Sequence, residues 1–280
     1  MRLVIHLLSV GHCRHCERVA RSGGGWRPIS FPSISALIIH PTQGAMLYDT
    51  GYSSHFLSAT NPFPERLYRW VTPVELQPNR RLVSQLAAHG LRFDDIRMCL
   101  ISHFHADHIA GLRDLTQAQF MCMQEDYEDI RQGSRMGLLS KGLLPALLPD
   151  DFELRLSFAE STSRCALPSG WADFGHGYDL LGDGSLIAVA LPGHSPRQMG
   201  LLLRDTMDRE VLLCADACWS KASWQALQLP MRLTGMVMHN WPQYQQTMAR
   251  LHRLGTQFPE LSILPSHCQQ SLTAYTGAIA

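Results

Sequence analysis

The sequence has no surplus of either charge. Its 24 Lys and Arg residues balance 24 Asp and Glu, and basic patches such as Asn79-Arg80-Arg81 are short. A nucleic-acid partner calls for a basic excess or stripe, so none is expected. No run of about 18 apolar residues occurs, so no membrane-spanning helix is expected. The opening MRLVIHLLSVGHC has only a short apolar run, interrupted by His6, and lacks a small-x-small cleavage site; it reads as a first β-strand and not an export signal. Internal repeats and low-complexity segments are missing. Cys13-x-x-Cys16, flanked by His12 and His15, has no second Cys-x-x-Cys to complete a four-ligand structural zinc site. The segment is expected to be a loop near the rim of the active site. The eight cysteines are scattered, several inside apolar runs such as Met98-Cys99-Leu100 and Leu213-Cys214-Ala215. They read as small buried hydrophobes in a reducing compartment, with the cytoplasm as the expected location.

What is present fits a folded α/β protein. Hydrophobic residues make up 45% and charged residues 17% of 280, which suits one large domain over 1–280. Strands are expected at 2–9, 34–40, 44–51, 96–102, 119–123, 185–191, 199–204, 210–215 and 261–264. Apolar residues at 82, 83, 86, 87 and 91 share one helical face, with Gly90 as a stop. Further helices are expected from 107, over about 242–255, and at the end of the chain. Strands in sets with interspersed helices suggest a mixed, layered α/β domain. Residues 125–175, with the apolar GLLSKGLLPALLP, look like an insertion. Core or a homodimer contact is one reading; a lid over an acyl chain is the other.

The densest chemistry is LISHFHADHIAG, 100–111. Three histidines and an aspartate, His103, His105, Asp107 and His108, follow an apolar strand. In extended geometry His103, His105 and Asp107 project to one side. Imidazole and carboxylate are ligands suited to zinc, iron or manganese. One such run cannot complete a two-metal site. His194 after IAVALPG, Asp216 after VLLCA and His267 after LSILPS each follow an apolar strand and a turn, and are the candidates for the remaining ligands.

These pieces, together with YDTG at 48–51, SHFHADHIAG at 102–111, LPGHSPRQMGLLL at 191–203, LLCADACW at 212–219 and LPSH at 264–267, occur in the order of the metallo-β-lactamase fold hydrolases. The chain resembles that superfamily, and LVSQLAAHGLRFDDIRMCLISHFHADHIAG is similar to its N-acyl homoserine lactonase branch, as is VGHC at 10–13. The resemblance implies a four-layer αββα sandwich with two divalent ions, Zn2+ foremost and Fe or Mn as alternatives, at one edge. It implies one ion held by His103, His105 and His194, the other by Asp107, His108 and His267, with Asp216 bridging and Asp49 hydrogen-bonding behind the ligands. Two dications about 3.5–4 Å apart can share a water and lower its pKa. The implied reaction is attack of that hydroxide on a carbonyl ester, lactone or thioester, with catalytic roles for Asp107 and Asp216. The implied substrate is a small molecule with an acyl chain.

Two positions depart from the lactonase pattern. Those enzymes carry a tyrosine where this chain has Trp219, which cannot supply a phenolic proton, and many carry an aromatic residue where it has Ala106. Ala106, Cys218 and Trp219 are expected to face the substrate, with Tyr178 as a further wall. His239 is expected in a loop or behind the ligands, and Ser195 in loop hydrogen bonding. Other functions remain open at this stage: a phosphodiesterase, a mononuclear iron persulfide dioxygenase, or a weakly catalytic regulatory metal protein. Flavodiiron proteins usually place Glu where this chain has His105, and they add a flavin domain.

Overall fold

A computed structural model describes residues 1–277. Thirteen strands among them form two sheets. β1 (Val4–Cys16), β2 (Pro28–His40), β3 (Gly44–Tyr48), β4 (Val74–Glu75), β5 (Ile96–Leu100), β6 (Gln119–Cys122) and β7 (Leu156–Phe158) make the first, in the order β4-β1-β2-β3-β5-β6-β7. β8 (Ser163–Ala166), β9 (His176–Asp179), β10 (Leu186–Ala190), β11 (Met199–Arg204), β12 (Glu210–Ala215) and β13 (Ser262–Pro265) make the second, in the order β13-β12-β11-β10-β9-β8. Strands β1 to β3 pair antiparallel, whereas β3, β5, β6 and β7 run parallel. The second sheet is antiparallel except for the β12–β13 pair.

The strand sequences explain the layering. Successive side chains of a strand face opposite ways, so a strand buried on both faces needs an unbroken apolar run. In β2 and β3, Leu37 and Leu47 point to the outer, helix-covered face, while Ile38 and Met46 point inward. There they meet Leu186, Leu201 and Leu213 of the second sheet. The outer face of the second sheet, with Val189, Leu202 and Leu212, is covered by helix Trp241–Gln257. That helix buries Tyr244, Thr247, Met248, Leu251 and Leu254, one stripe at helical spacing. Asn240 caps it by accepting the Gln243 N–H at 3.0 Å. The result is the expected αββα order of layers.

Several expected elements differ. β1 runs on to Cys16, so the Cys13–Cys16 segment is strand and not loop; its long pairing with β2 sustains it past a bulge between Ser9 and His12. The expected helix from 107 is only the single turn Ala106–Ile109 followed by a 3₁₀ turn, Leu112–Asp114. Of residues 125–175, Met136 and 139–142 line the cavity described below, and the rest packs into the domain. The segment supplies edge strands to both sheets, β7 and β8, and Leu143, Leu144 and Leu147 are buried in the core. All eight cysteines are free, six of them buried. No helix among the described residues is long and apolar enough to cross a membrane.

Candidate metal centre

The expected ligands leave the sheets at one edge. β5 ends at Leu100, and Ser102 to His108 follow; β12 ends at Ala215, directly before Asp216; β13 ends at Pro265, two residues before His267. β10 ends at Ala190, and His194 follows after a tight turn. The two sheets are tied together here by the Met199 N–H, which donates to the Ser102 carbonyl at 2.8 Å. Two of the aiming residues have strained backbones: Asp49 at φ 60° and Ala215 at φ 45°. A non-glycine residue in that region costs on the order of 1–3 kcal/mol and tends to occur at functional sites. Gly193, at φ +128°, turns the chain so close to the backbone of Tyr244 that no Cβ fits between them.

All seven expected ligand residues come together, in two groups. In the first, Nε2 of His103 is 3.0 Å from Nδ1 of His105 and 3.1 Å from Nε2 of His194, and the His105–His194 pair is 2.8 Å apart. In the second, Nε2 of His267 is 3.3 Å from Oδ2 of Asp107, and Nε2 of His108 is 3.7 Å from the same oxygen. Asp216 faces both. Its Oδ2 lies 3.3 Å from Nε2 of His194, and its Oδ1 lies 3.4 Å from Nε2 of His108 and 3.2 Å from Nε2 of His267.

The other nitrogen of four of the five imidazoles is occupied. Asp49 Oδ2 accepts from His108 Nδ1 at 2.7 Å, and the Pro32 carbonyl accepts from His267 Nδ1 at 2.8 Å. Nδ1 of His103 lies 3.0 Å from Ser102 Oγ, and Nδ1 of His194 lies 3.0 Å from Met238 Sδ. Asp49 also accepts from the Ser102 N–H at 2.8 Å and its hydroxyl at 2.7 Å. Outer partners of this kind fix ring orientation and tautomer in metal-binding histidines.

The donor set fits divalent cations. Nitrogens about 2.0–2.1 Å from a tetrahedral zinc are separated by roughly 3.3–3.4 Å, a little more than the spacing in the first group. Three imidazole nitrogens this close cannot all satisfy one another, since a neutral ring has only one N–H. In the second group, His108 Nε2 and Asp216 Oδ1 are buried without a hydrogen-bond partner. Such orphaned atoms call for an ion or water.

Electrostatics separates the groups. Burial holds His103 and His194 well below the ordinary imidazole value, so both are neutral. Burial would also lower His267, but Asp216 and Asp107 together outweigh it and raise it to about 9. His108 is likewise raised, because Asp107, Asp49 and Asp216 together outweigh its burial. Burial would raise Asp216, yet His267, His108 and His194 hold it well below the usual carboxylate range.

A cavity of about 680 Å³ opens over the two groups. Its walls include Phe31, Leu67, Val71, Leu139, Leu233 and Val237. Trp219 lines it as expected, and its indole N–H donates to Asp216 Oδ2 at 2.8 Å. Ala106 does not line it; the side chain is buried in the core under the first sheet. Cys218 does not either, being fully buried with its sulfur 3.7 Å from that of Cys214. Tyr178 is buried between the sheets, away from the cavity. Cys13 and His15 do line it, while His12 pairs with Glu75 at 3.2 Å. His239 supports the site through its backbone, donating its N–H to the His194 carbonyl. Sequence reading missed Tyr68, whereas the 139–142 stretch of the wall falls in the segment read either as core or as a lid over an acyl chain. It also missed Asp126, a buried carboxylate that accepts the Arg197 N–H at 3.1 Å and so braces the turn after His194.

N-acyl homoserine lactonase AttM of Rhizobium radiobacter is 26% identical over 159 residues, 55% of this chain and 54% of that protein. The chain thus spans about half the length of the AttM relatives it matches. N-acyl homoserine lactonase AiiB of Agrobacterium fabrum is 22% identical over 248 residues, 89% of this chain and 83% of that protein. Among solved structures, a B. thuringiensis AiiA variant with N-decanoyl-L-homoserine at its active site superposes with a TM-score of 0.70 at 18% identity, covering 98% of this chain and 97% of that one. The dizinc quorum-quenching lactonase AidC gives 0.64 at 14% identity, covering 96% and 88%. These structural likenesses concern the fold. Residues 30–219 match the model of the metallo-beta-lactamase superfamily, two thirds of the chain, and the chain belongs to that superfamily.

Proposed function

We propose that the protein is a hydrolase of acyl lactones and esters, N-acyl homoserine lactones foremost, acting at two divalent ions held by these seven residues. The observation that carries this reading is Asp216, whose two oxygens face two separate ligand groups at the floor of an apolar-walled cavity. His103, His105 and His194 would hold one ion, Asp107, His108 and His267 the other, and Asp216 would bridge them. Ions so placed supply a hydroxide nucleophile at neutral pH and polarise the carbonyl under attack. The chain's own groups do the rest. Asp107, on the cavity side of the second group, is placed to accept a proton from the attacking water. The apolar walls hold the acyl chain and keep bulk water away from the carbonyl. No Ser or Cys nucleophile is required: Ser195 is buried, and burial holds the Cys13 thiol at about 12. The names of the relatives support a lactone substrate, and the cavity volume lies in the range of small-molecule sites.

The test is a substrate panel on zinc-loaded protein: an N-acyl homoserine lactone, a p-nitrophenyl acyl ester, an acyl thioester and a chromogenic phosphodiester. Turnover of the lactone well above the phosphodiester is expected. Preference for the phosphodiester, or oxygen uptake with a persulfide, would overturn the reading.

A further inference from the structure

Cleavage of a lactone or alkyl ester expels an alkoxide, a poor leaving group unless something donates to it. Most donors in the cavity wall are already committed. The Trp219 N–H goes to Asp216 Oδ2 at 2.8 Å, and the Lys141 ammonium to Asp129 at 2.6 Å. The Ser140 and Thr234 hydroxyls donate to the carbonyls of Gly137 and Val19. His15 Nε2 is 3.3 Å from the Thr72 hydroxyl, and Tyr52 is packed in the core cluster with Cys13. Tyr68 is not so committed: among the described residues its hydroxyl has no hydrogen-bond partner, and it lines the same cavity as His105, Asp107 and Asp216.

Its position is well fixed. Tyr68 sits on helix Arg66–Val71, and its ring packs edge-on against Phe56 with centroids 5.5 Å apart at 87°. Gly142, at φ +77°, locates the hydroxyl: a Cβ there would lie 3.4 Å from the Tyr68 oxygen and 3.6 Å from Cδ2 of His105. The phenol and the His105 ring thus flank one small volume beside the first ligand group.

We infer that the Tyr68 hydroxyl donates to the substrate oxygen that leaves the acyl carbon. The inference rests on the acyl-hydrolase reading above. The OH of water joins the acyl carbon, and the C–O bond of the ester breaks. Its electron pair passes to the leaving oxygen, which takes the phenolic proton. The phenolate regains a proton through solvent from the one released when the attacking water ionises, so the net change is addition of one water.

The test is Tyr68→Phe, which keeps the ring contact with Phe56 and removes only the hydroxyl. It is assayed on an N-hexanoyl homoserine lactone and on p-nitrophenyl hexanoate, whose leaving group needs no proton. The kcat for the lactone should fall about tenfold or more, while the kcat for the p-nitrophenyl ester should stay within about twofold and metal content should be unchanged. Equal effects on both substrates, or no loss on the lactone, would overturn the inference. A second measurement needs no turnover: binding of ring-opened N-hexanoyl-L-homoserine, followed by tryptophan fluorescence. Affinity should drop about fivefold in Tyr68→Phe, the worth of one hydrogen bond. Equal affinity, or no binding by either protein, also overturns it. If neither substrate turns over in either protein, the acyl-hydrolase reading fails, and the product-binding measurement still decides on Tyr68.

Discussion

The Asp49 carboxylate accepts a hydrogen bond from Nδ1 of His108 at 2.7 Å, with both side chains 1% exposed. The bond turns Nε2 of His108 towards Asp107 and Asp216. Asp49→Asn tolerates the left-handed backbone but weakens this acceptor. It should lower the affinity of the Asp107, His108 and His267 group for its ion by about 10- to 100-fold and leave the first group nearly unaffected. Zinc titration against a chromophoric chelator reads both affinities; equal losses at the two groups would argue against this role for Asp49.

The two groups should respond differently to pH. His267 is raised to about 9 in the metal-free protein, so an ion entering there below that pH must expel a proton. His108 is raised as well, so affinity for the second ion should rise at least about tenfold per pH unit between 7 and 9. His103 and His194 are held low and carry no proton to lose, so affinity for the first ion should be much flatter over the same interval. Titration at pH 7 and pH 9 checks this.

Asp126 is raised to about 7 by burial, well above an unfolded carboxylate. Folding therefore favours its protonated form. That stabilisation is complete below the unfolded pKa of about 3.9 and is lost as pH rises through 7. Asp126→Asn retains an acceptor for the Arg197 N–H without a charge to bury. It should leave stability nearly unchanged at about pH 3.5 or below and raise it progressively above that, by up to about 4 kcal/mol at pH 8. Denaturant unfolding at the two pH values decides; a loss at pH 8 would show that the carboxylate's charge is needed.

Gly193→Ala should be costly, because it adds backbone strain at φ +128° and drives a Cβ into the Tyr244 backbone. A loss on the order of 2–4 kcal/mol is expected, together with weaker binding of the first ion, since His194 follows directly. Thermal unfolding with and without zinc checks both effects.

Much of this molecule was legible in the sequence where side-chain pattern and structure coincide. The strands expected at 199–204 and 210–215 run over those residues, because their apolar runs face two buried layers. The candidate ligands could be named because His103, His105, Asp107 and His108 crowd one run after an apolar strand, and His194, Asp216 and His267 each come shortly after another. Where contacts join distant segments, the pattern carried little. Strands β7 and β8 lie at sheet edges and β9 beside β8, in a stretch of mixed polarity, and packing against neighbours defines them more than alternation does. Ala106 and Cys218 adjoin ligands in sequence, but adjacent residues on a turn diverge, and both side chains enter the core. Tyr68 comes from a short helix far from any ligand in sequence, and only the fold brings it to the cavity.

Anomalous diffraction from zinc-loaded crystals tests the two-ion site most directly. The expected map holds two peaks about 3.5–4 Å apart. One should lie beside His103, His105 and His194, the other beside Asp107, His108 and His267, with an oxygen of Asp216 at each. A single peak, or two that Asp216 does not join, would contradict it.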